Sequence, residues 1–275
     1  MSAAEPQART AAPEAAGGIP TLEVAGPRAT IRLNRPRHLN RIEPADIEAL
    51  VRLFGQVDAD PALRVLVLTG TGRAFSAGYH LGDLHERAGG AGGGEGGGVS
   101  SFEAMVNRLE ELRVPTICRL QGGVYGGSTD LALACDFRVG HAGIEMFMPA
   151  GRLGVHYYEA GMRRYVSRLG LNAAKRLFLT AERIGATEML RIGYLTQLVP
   201  EEAGLDAAVE ALAERIAGLA PLAVQGMKQA LNEIAHGALD VEALRARQAR
   251  CDGSEDLKEG LAAFWGKREP VFRGR

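Results

Sequence analysis

Two short stretches of this 275-residue chain gather residue types that can do carbonyl chemistry. One runs Arg73-Ala74-Phe75-Ser76-Ala77-Gly78-Tyr79-His80-Leu81, and the other runs from Gly122-Gly123-Val124-Tyr125-Gly126-Gly127-Ser128-Thr129-Asp130 to Asp136. Each follows a short apolar run that reads as a buried strand, so each sets small residues where ligands of open α/β sheets sit. Small side chains let a ligand approach the main chain closely. The second stretch also opens a helix at Gly126-Gly127, whose first N–H groups lack intrahelical partners. Two convergent N–H donors on a carbonyl oxygen stabilise an enolate or oxyanion, and losing one such donor typically costs about 3–4 kcal/mol of transition-state stabilisation. Spacing alone also fits two structural turns, because turn chemistry explains the glycines without any ligand.

Titratable groups flank these loops. Asp130 and Glu159 could move protons, and each also fits the first turn of a helix, where the dipole favours an acid. His80 and His156 have side chains suited to proton transfer near neutrality, and each also fits a structural histidine. Cys118, Cys135 and Cys251 lack metal-site spacing and read as reduced thiols. No metal site is expected.

Taken together, Ala74-Phe75-Ser76-Ala77-Gly78 with His80-Leu81 and Gly126-Gly127-Ser128-Thr129-Asp130 through Cys135-Asp136 resemble the signature loops of the crotonase (enoyl-CoA hydratase/isomerase) family. The likeness spans about residues 20 to 272. It takes in Leu33-Asn34-Arg35-Pro36, Leu39-Asn40, Leu153-Gly154, Arg183-Ile184, Leu198-Val199-Pro200 and Pro270-Val271-Phe272. The resemblance implies an α/β spiral of ββα turns with a helical C-terminal trimerisation region, assembled as a trimer or a dimer of trimers. It implies an acyl-CoA substrate, with coenzyme A part of that substrate and no separate cofactor. It implies that the backbone N–H groups of Ala77 and Gly127 form an oxyanion hole. Hydratases of the family use two glutamates. One falls at Asp130, a methylene shorter, and the other follows a proline that corresponds to Pro149, where this chain has Ala150. Adding water across a double bond needs a base for the water and an acid for the α-carbon, so this pattern points away from ordinary hydration. Relatives that shift double bonds or displace aryl halide place an aspartate at the position of Tyr158. Glu159, one residue later, is therefore the second candidate carboxylate after Asp130. Tyr79, Tyr157 and Tyr158 read as acyl-pocket walls with polar tips, with His80, Leu81 and His156 beside them. Arg37 is placed to meet CoA phosphates. Phe264 and Lys267 match positions that reach a neighbouring subunit's CoA, although exposed charges near a terminus are also simply solvated.

The resemblance leaves isomerisation, decarboxylation and hydrolysis open beside hydration, an acyl carrier protein thioester open beside CoA, and a non-catalytic CoA-binding or assembly protein as the outside alternative. The elements that must position these loops are legible. Leu22, Val24, Ile31 and Leu33 flank Gly26-Pro27 as a hairpin. Ile47, Leu50, Val51 and Phe54 recur at helical spacing. Val65-Leu66-Val67-Leu68 and Thr116 to Leu120 predict buried parallel strands. A helix is predicted from about Phe102 to Leu112, a short one through Leu133, strands near 136–139 and 145–148, and mostly helix after Gly161. Leu257, Leu261 and Phe264 make an apolar stripe at helical spacing.

Composition narrows the function classes. Hydrophobic residues make up 46% of the chain, enough for a sizeable core. A net charge of −1 lacks the basic footprint of nucleic-acid or membrane-surface binders. No apolar run reaches the roughly 20 residues a membrane span needs, and the first 18 residues lack a signal-peptide core, so a cytoplasmic location is expected. Residues 1–18 read as a disordered tail, 19–200 as the α/β core and 201–275 as the helical C-terminal region. Residues 88–98, almost all glycine, read as a flexible loop inside the core.

Overall fold

In the computed structural model, residues 17–80 and 97–275 are described. The expectations for residues 1–16, for 88–96 and for Leu81 lie outside the described residues. Strands β1 (Thr21–Ala25) and β2 (Arg28–Leu33) form the hairpin that the apolar pattern predicts, and helix α1 (Pro44–Ala59) follows. The next turn comprises β3 (Val65–Gly70), β4 (Ala74–Ser76) and α2 (Gly97–Glu110). A third comprises β5 (Thr116–Leu120), β6 (Gly123–Tyr125) and α3 (Ser128–Ala134). A fourth comprises β7 (Phe137–His141), β8 (Glu145–Phe147) and α4 (Glu159–Leu169). The first strand of each later turn joins one sheet in the order β1-β2-β3-β5-β7-β10, with β10 spanning Gln197–Val199. The second strand of each joins a smaller sheet, β4-β6-β8-β9, closed by β9 (Arg183–Gly185). The expected α/β spiral of ββα turns is thus observed.

The larger sheet is covered on both faces, and side-chain parity sorts its residues between them. Leu66, Leu68, Cys118 and Leu120 face the main core with Leu50, Phe54 and Leu131. Val65, Val67, Ile117 and Val139 face Leu205, Val209, Ala213 and Ile216 of helix α7 (Leu205–Ala217). Burial on both faces is why β3 reads as an unbroken apolar run rather than an alternating one. Each later turn must also reverse sharply from the large sheet into the small one. At the β5–β6 corner a Cβ on Gly122 would lie 2.1 Å from the Arg73 carbonyl oxygen, so only glycine lets the two corners pack together.

One boundary differs from the sequence pattern. Helix α2 begins at Gly97, five residues before the predicted start at Phe102. Glycines disfavour helix by roughly 1 kcal/mol each, so the pattern gave no sign of the early start. The buried stripe Phe102, Met105, Val106 and Leu109 anchors the rest of the helix.

After α4 the chain continues through α5 (Leu171–Thr180) and α6 (Ala186–Arg191), then α7, α8 (Pro221–Ala235), α9 (Val241–Asp252) and α10 (Glu255–Gly266). Among the described residues no helix is long and apolar enough to cross a membrane. Helix α8 is fastened to the sheet by Lys228, whose Nζ donates to the Val114 carbonyl and pairs with the Asp136 carboxylate, both at 2.8 Å. Asp136 in turn accepts from the Thr116 amide and hydroxyl at 2.7 and 2.9 Å. Leu231 and Ile234 of α8 and Leu257, Leu261 and Phe264 of α10 remain exposed in the single chain.

Replacing Lys228 with Met should release this fastening. Leaving the Val114 carbonyl and the Asp136 charge short of a donor costs about 1–3 kcal/mol. Urea unfolding should show a loss of that size, and hydrogen exchange should quicken first in α8.

Candidate active site

The two loops meet directly. Ser128 Oγ lies 2.7 Å from both the Ser76 and the Tyr125 carbonyl oxygens, and its single proton can serve either. It also accepts from the Tyr125 N–H at 3.0 Å. Asn40, buried behind the first loop, donates to the Thr71 and Ala74 carbonyls at 2.8 and 2.9 Å, and Ser76 Oγ donates to the Asn40 carbonyl at 2.7 Å. Gly78 has φ 88°, and a Cβ there would lie 2.6 Å from the Tyr125 carbonyl oxygen and 2.8 Å from the Gly127 nitrogen. Only glycine allows this contact, both by space and by backbone conformation.

A cavity of about 540 Å³ opens beside this contact. Its wall includes Ala77, Tyr79, Gly126 and Gly127 from the two loops, Met148, Pro149 and Ala150 after β8, and His156, Tyr157 and Tyr158 before α4. Phe102 lies 5.7 Å from the Tyr79 ring and 6.4 Å from the Tyr158 ring, and Tyr157 stacks on Tyr158 at 4.3 Å. The wall is therefore largely apolar, with aromatic side chains among its residues, and suits an apolar group.

Ala77 does not present its N–H to this cavity. That N–H donates to the Leu39 carbonyl at 2.7 Å, which corrects the expectation that it would bind a ligand oxygen. Residues 77–80 run alongside 39–42, with Ile42 N–H on the Gly78 carbonyl and His80 N–H on the Ile42 carbonyl. The backbone nitrogen that comes to Gly127 is that of Tyr79, 3.6 Å from where a Gly127 Cβ would stand. Among the described residues no acceptor takes the Gly127 N–H.

The carboxylates are placed differently from expectation as well. Ala150 sits in the cavity wall and offers only a methyl group. Glu159 turns away: its side chain is 78% exposed and pairs with Arg163 one helical turn on, at 2.5 Å. As the first residue of α4 it lies on the outer side of a helix whose buried stripe is Gly161, Arg164 and Tyr165. The expectation of a catalytic Glu159 is corrected on that ground. Asp130 is fully buried behind the cavity wall. Its Oδ2 accepts from Arg164 at 2.6 Å and from the Tyr158 hydroxyl at 2.5 Å, while Oδ1 makes no hydrogen bond to the protein. Arg164 continues to Asn107 Oδ1 at 2.8 Å and Glu110 Oε2 at 2.9 Å, and Glu110 takes a second arginine, Arg168, at 2.9 Å. The Tyr157 hydroxyl lies 3.3 Å from that of Tyr158. The hydrogen-bonded chain is thus Tyr157–Tyr158–Asp130–Arg164–Glu110. Sequence reading took Tyr158 as a wall and missed its bond to Asp130. The available signal was Arg164 on the buried stripe of α4, since a buried arginine requires carboxylate partners.

The charges tune one another. Burial pushes the Tyr158 and Tyr157 phenols well above the ordinary value of 10, and the Asp130 charge adds to it, so both stay protonated. Burial opposes the charge on Arg164, but the carboxylates of Asp130 and Glu110 more than restore it and hold its pKa above the ordinary value. Burial likewise pushes Glu110 up, while the charge and hydrogen bond of Arg164, with Arg168 beyond, outweigh it and hold the carboxyl below its usual 4.5.

Other expected residues lie elsewhere. His156 is exposed at the cavity mouth with Nδ1 2.9 Å from the Tyr157 carbonyl oxygen. His80 is half-buried beside the first loop and is not part of the cavity wall. Arg37 is exposed, two residues before Leu39 of the wall. Phe264 and Lys267 are exposed at the end of α10 and do not line the cavity of their own chain. A second cleft of about 640 Å³ lies between α2, α8 and α9, and in its lining Arg247 pairs with Glu233 at 2.7 Å. Among the described residues no cluster of His, Cys, Asp and Glu could hold a metal ion.

Known proteins resemble this chain over most of its length. The model of the family described as Enoyl-CoA hydratase/isomerase matches residues 27–275. A short-chain-enoyl-CoA hydratase of Clostridium acetobutylicum is 30% identical over 251 residues, covering 90% of this chain and 95% of the relative. An (E)-benzylidenesuccinyl-CoA hydratase of Thauera aromatica is 30% identical over 262 residues, covering 92% and 98%. The crystal structure of an enoyl-CoA hydratase from Bacillus anthracis superposes with a TM-score of 0.82 at 30% identity, covering 94% of this chain and all of that one.

Two outcomes follow from this geometry. Gly78→Ala forces the loops apart and strains a left-handed residue, so it should lower stability by about 1–3 kcal/mol and abolish ligand binding in the cavity, read by thermal unfolding and calorimetry. A carboxyl with a depressed folded pKa contributes stability above its unfolded value that disappears as pH falls through the folded one. The unfolding free energy should therefore decline below about pH 4.5, and the decline should be shallower in Glu110→Gln.

Proposed function

The chain belongs to the enoyl-CoA hydratase/isomerase family, and from that premise we propose that it is an enzyme that forms an enolate from an acyl-CoA thioester. The observation that carries this reading is the contact of the two loops at Gly78, which brings the Tyr79 nitrogen to 3.6 Å from where a Gly127 Cβ would stand, on the wall of an apolar cavity. A thioester oxygen bound there meets donors fixed before the reaction, and such fixed dipoles stabilise the charge that develops. The proposed oxyanion pair is Tyr79 and Gly127, in place of Ala77 and Gly127. The acyl group lies against Phe102, Tyr157 and Tyr158, and the CoA phosphates leave toward Arg37 and His156 at the mouth. Coenzyme A is part of the substrate, and no separate cofactor is required.

Two named relatives are hydratases, yet the proposed chemistry here is movement of the α-proton rather than efficient addition of water. Hydration needs two placed proton-transfer groups. Ala150 supplies none, and Asp130 is committed to Arg164 and Tyr158. Isomerisation and decarboxylation both run through the same enolate. The protein is further proposed to work as a trimer or a dimer of trimers. The exposed Leu257, Leu261 and Phe264 of α10 support burial of that face between subunits, where Phe264 and Lys267 would meet a neighbour's CoA.

Calorimetry with butyryl-CoA tests the ligand. Micromolar binding that disappears in Gly127→Pro is expected, since proline removes the donor, and no binding by the unaltered protein would overturn the reading. With crotonyl-CoA, absorbance should fall at least about 10²-fold more slowly than with a two-glutamate hydratase. Hydration at an equal rate would show that Ala150 costs nothing. Light scattering should give the mass of three or six chains, and a monomer would contradict the assembly.

A further inference from the structure

The proposed enolate requires a group that removes the α-proton, and the buried position of Asp130 decides which one it is. Asp130 is fully enclosed and absent from the cavity wall, whereas Tyr158 is part of that wall and donates its hydroxyl proton to Asp130 Oδ2 at 2.5 Å. A phenol oxygen whose proton points away from the cavity still accepts. Tyr157 donates to it at 3.3 Å, and the remaining lone pair is left for a substrate proton. We propose that Tyr158 is the catalytic residue that takes the substrate proton, and that Asp130 is a positioning residue that receives the phenol's own proton in the same step. This rests on the acyl-CoA reading above.

The step balances within the chain. The α C–H bond breaks and its proton forms a bond to Tyr158 Oη. The Tyr158 O–H bond to its original proton breaks, and that proton passes to Asp130 Oδ2. The electron pair left on the α-carbon forms the carbon–carbon double bond of the enolate, and the carbonyl π pair moves onto the thioester oxygen, which the proposed Gly127 and Tyr79 amides hold. Return of the two protons, to the same carbon or to another carbon of the acyl chain, restores Tyr158 and Asp130. Neither an oxidant nor a co-reactant is consumed.

Arg164 makes the relay tenable. If Asp130 were its only carboxylate, protonating Asp130 would leave a buried guanidinium without a counter-charge, which is strongly unfavourable. Glu110, which is shared with Arg168, stands on the other side of Arg164 at 2.9 Å, so Arg164 keeps one carboxylate partner while Asp130 is protonated. Tyr157, stacked on Tyr158 with its hydroxyl 3.3 Å away, can donate to Tyr158 Oη and ease the negative charge that gathers there during transfer.

The test is exchange of the α-protons of butyryl-CoA in deuterated buffer, followed by NMR, with binding measured in parallel by calorimetry. Tyr158→Phe keeps the ring and its packing. It should bind butyryl-CoA within about threefold of the unaltered protein and exchange at least about 10²-fold more slowly, the usual range for a lost acid–base group. Asp130→Asn should slow exchange comparably, and the double variant should be no slower than Tyr158→Phe alone, because groups that act in series are not additive. Exchange unaffected by Tyr158→Phe would overturn the proposal, as would multiplied losses in the double variant, or tight binding by the unaltered protein without any exchange. Should Asp130→Asn fail to fold, Tyr158→Phe alone decides. Absence of binding by the unaltered protein would instead remove the acyl-CoA reading itself, which separates the two failures.

Discussion

The guanidinium of Arg164, buried between the carboxylates of Asp130 and Glu110, is the constraint on which the site depends. Arg164, Asp130 and Glu110 are 1%, 0% and 3% exposed. Isolated charges in such a place cost several kcal/mol each, and truncating one partner of a buried pair typically costs about 3–5 kcal/mol. The three elements that supply them, α2, α3 and α4, are thereby locked together at one end of the spiral. Fixing α4 fixes the segment before it, and that segment carries Tyr157 and Tyr158 into the cavity wall. Fixing α3 holds the loop that ends at Gly127, on the opposite side of the same cavity.

The backbone side of the site is held by a different set of forces. Buried amides and hydroxyls, Asn40, Ser76 and Ser128, satisfy the carbonyls of the two loops one by one. Gly78 allows the loops to touch without a side chain between them. Charge therefore orients Tyr158 and Asp130, while neutral hydrogen bonds hold the two loops. Neither set crosses the cavity, whose aromatic walls leave room for an apolar acyl group.

Much of the fold was legible because local pattern and global burial agree there. The Val65–Leu68 and Thr116–Leu120 runs, the hairpin at Gly26-Pro27 and the α1 stripe each match an observed element. The start of α2 was not legible, since glycine at 97 and 98 carries no helical signal. Within the site, the loops could be found from their small residues, but the orientation of individual amides could not. A left-handed residue at Gly78 turns the chain between Ala77 and Tyr79, so spacing does not reveal which N–H faces Gly127. The fate of the carboxylates was hidden for a further reason. Asp130 and Arg164 are separated by 34 residues, and nothing in the spacing states that they pair. Glu159 and Tyr158 are adjacent, and a helix start one residue earlier or later exchanges which of them faces inward.

The most direct measurement is a crystal structure with a non-hydrolysable acyl-CoA analogue. The account predicts the carbonyl oxygen within hydrogen-bond distance of the Tyr79 and Gly127 nitrogens, the α-carbon facing the Tyr158 hydroxyl, and Asp130 still paired with Arg164 behind it. An acyl group in the cavity with its α-carbon against Asp130 or Glu159, or with its carbonyl oxygen on the Ala77 N–H, would contradict it.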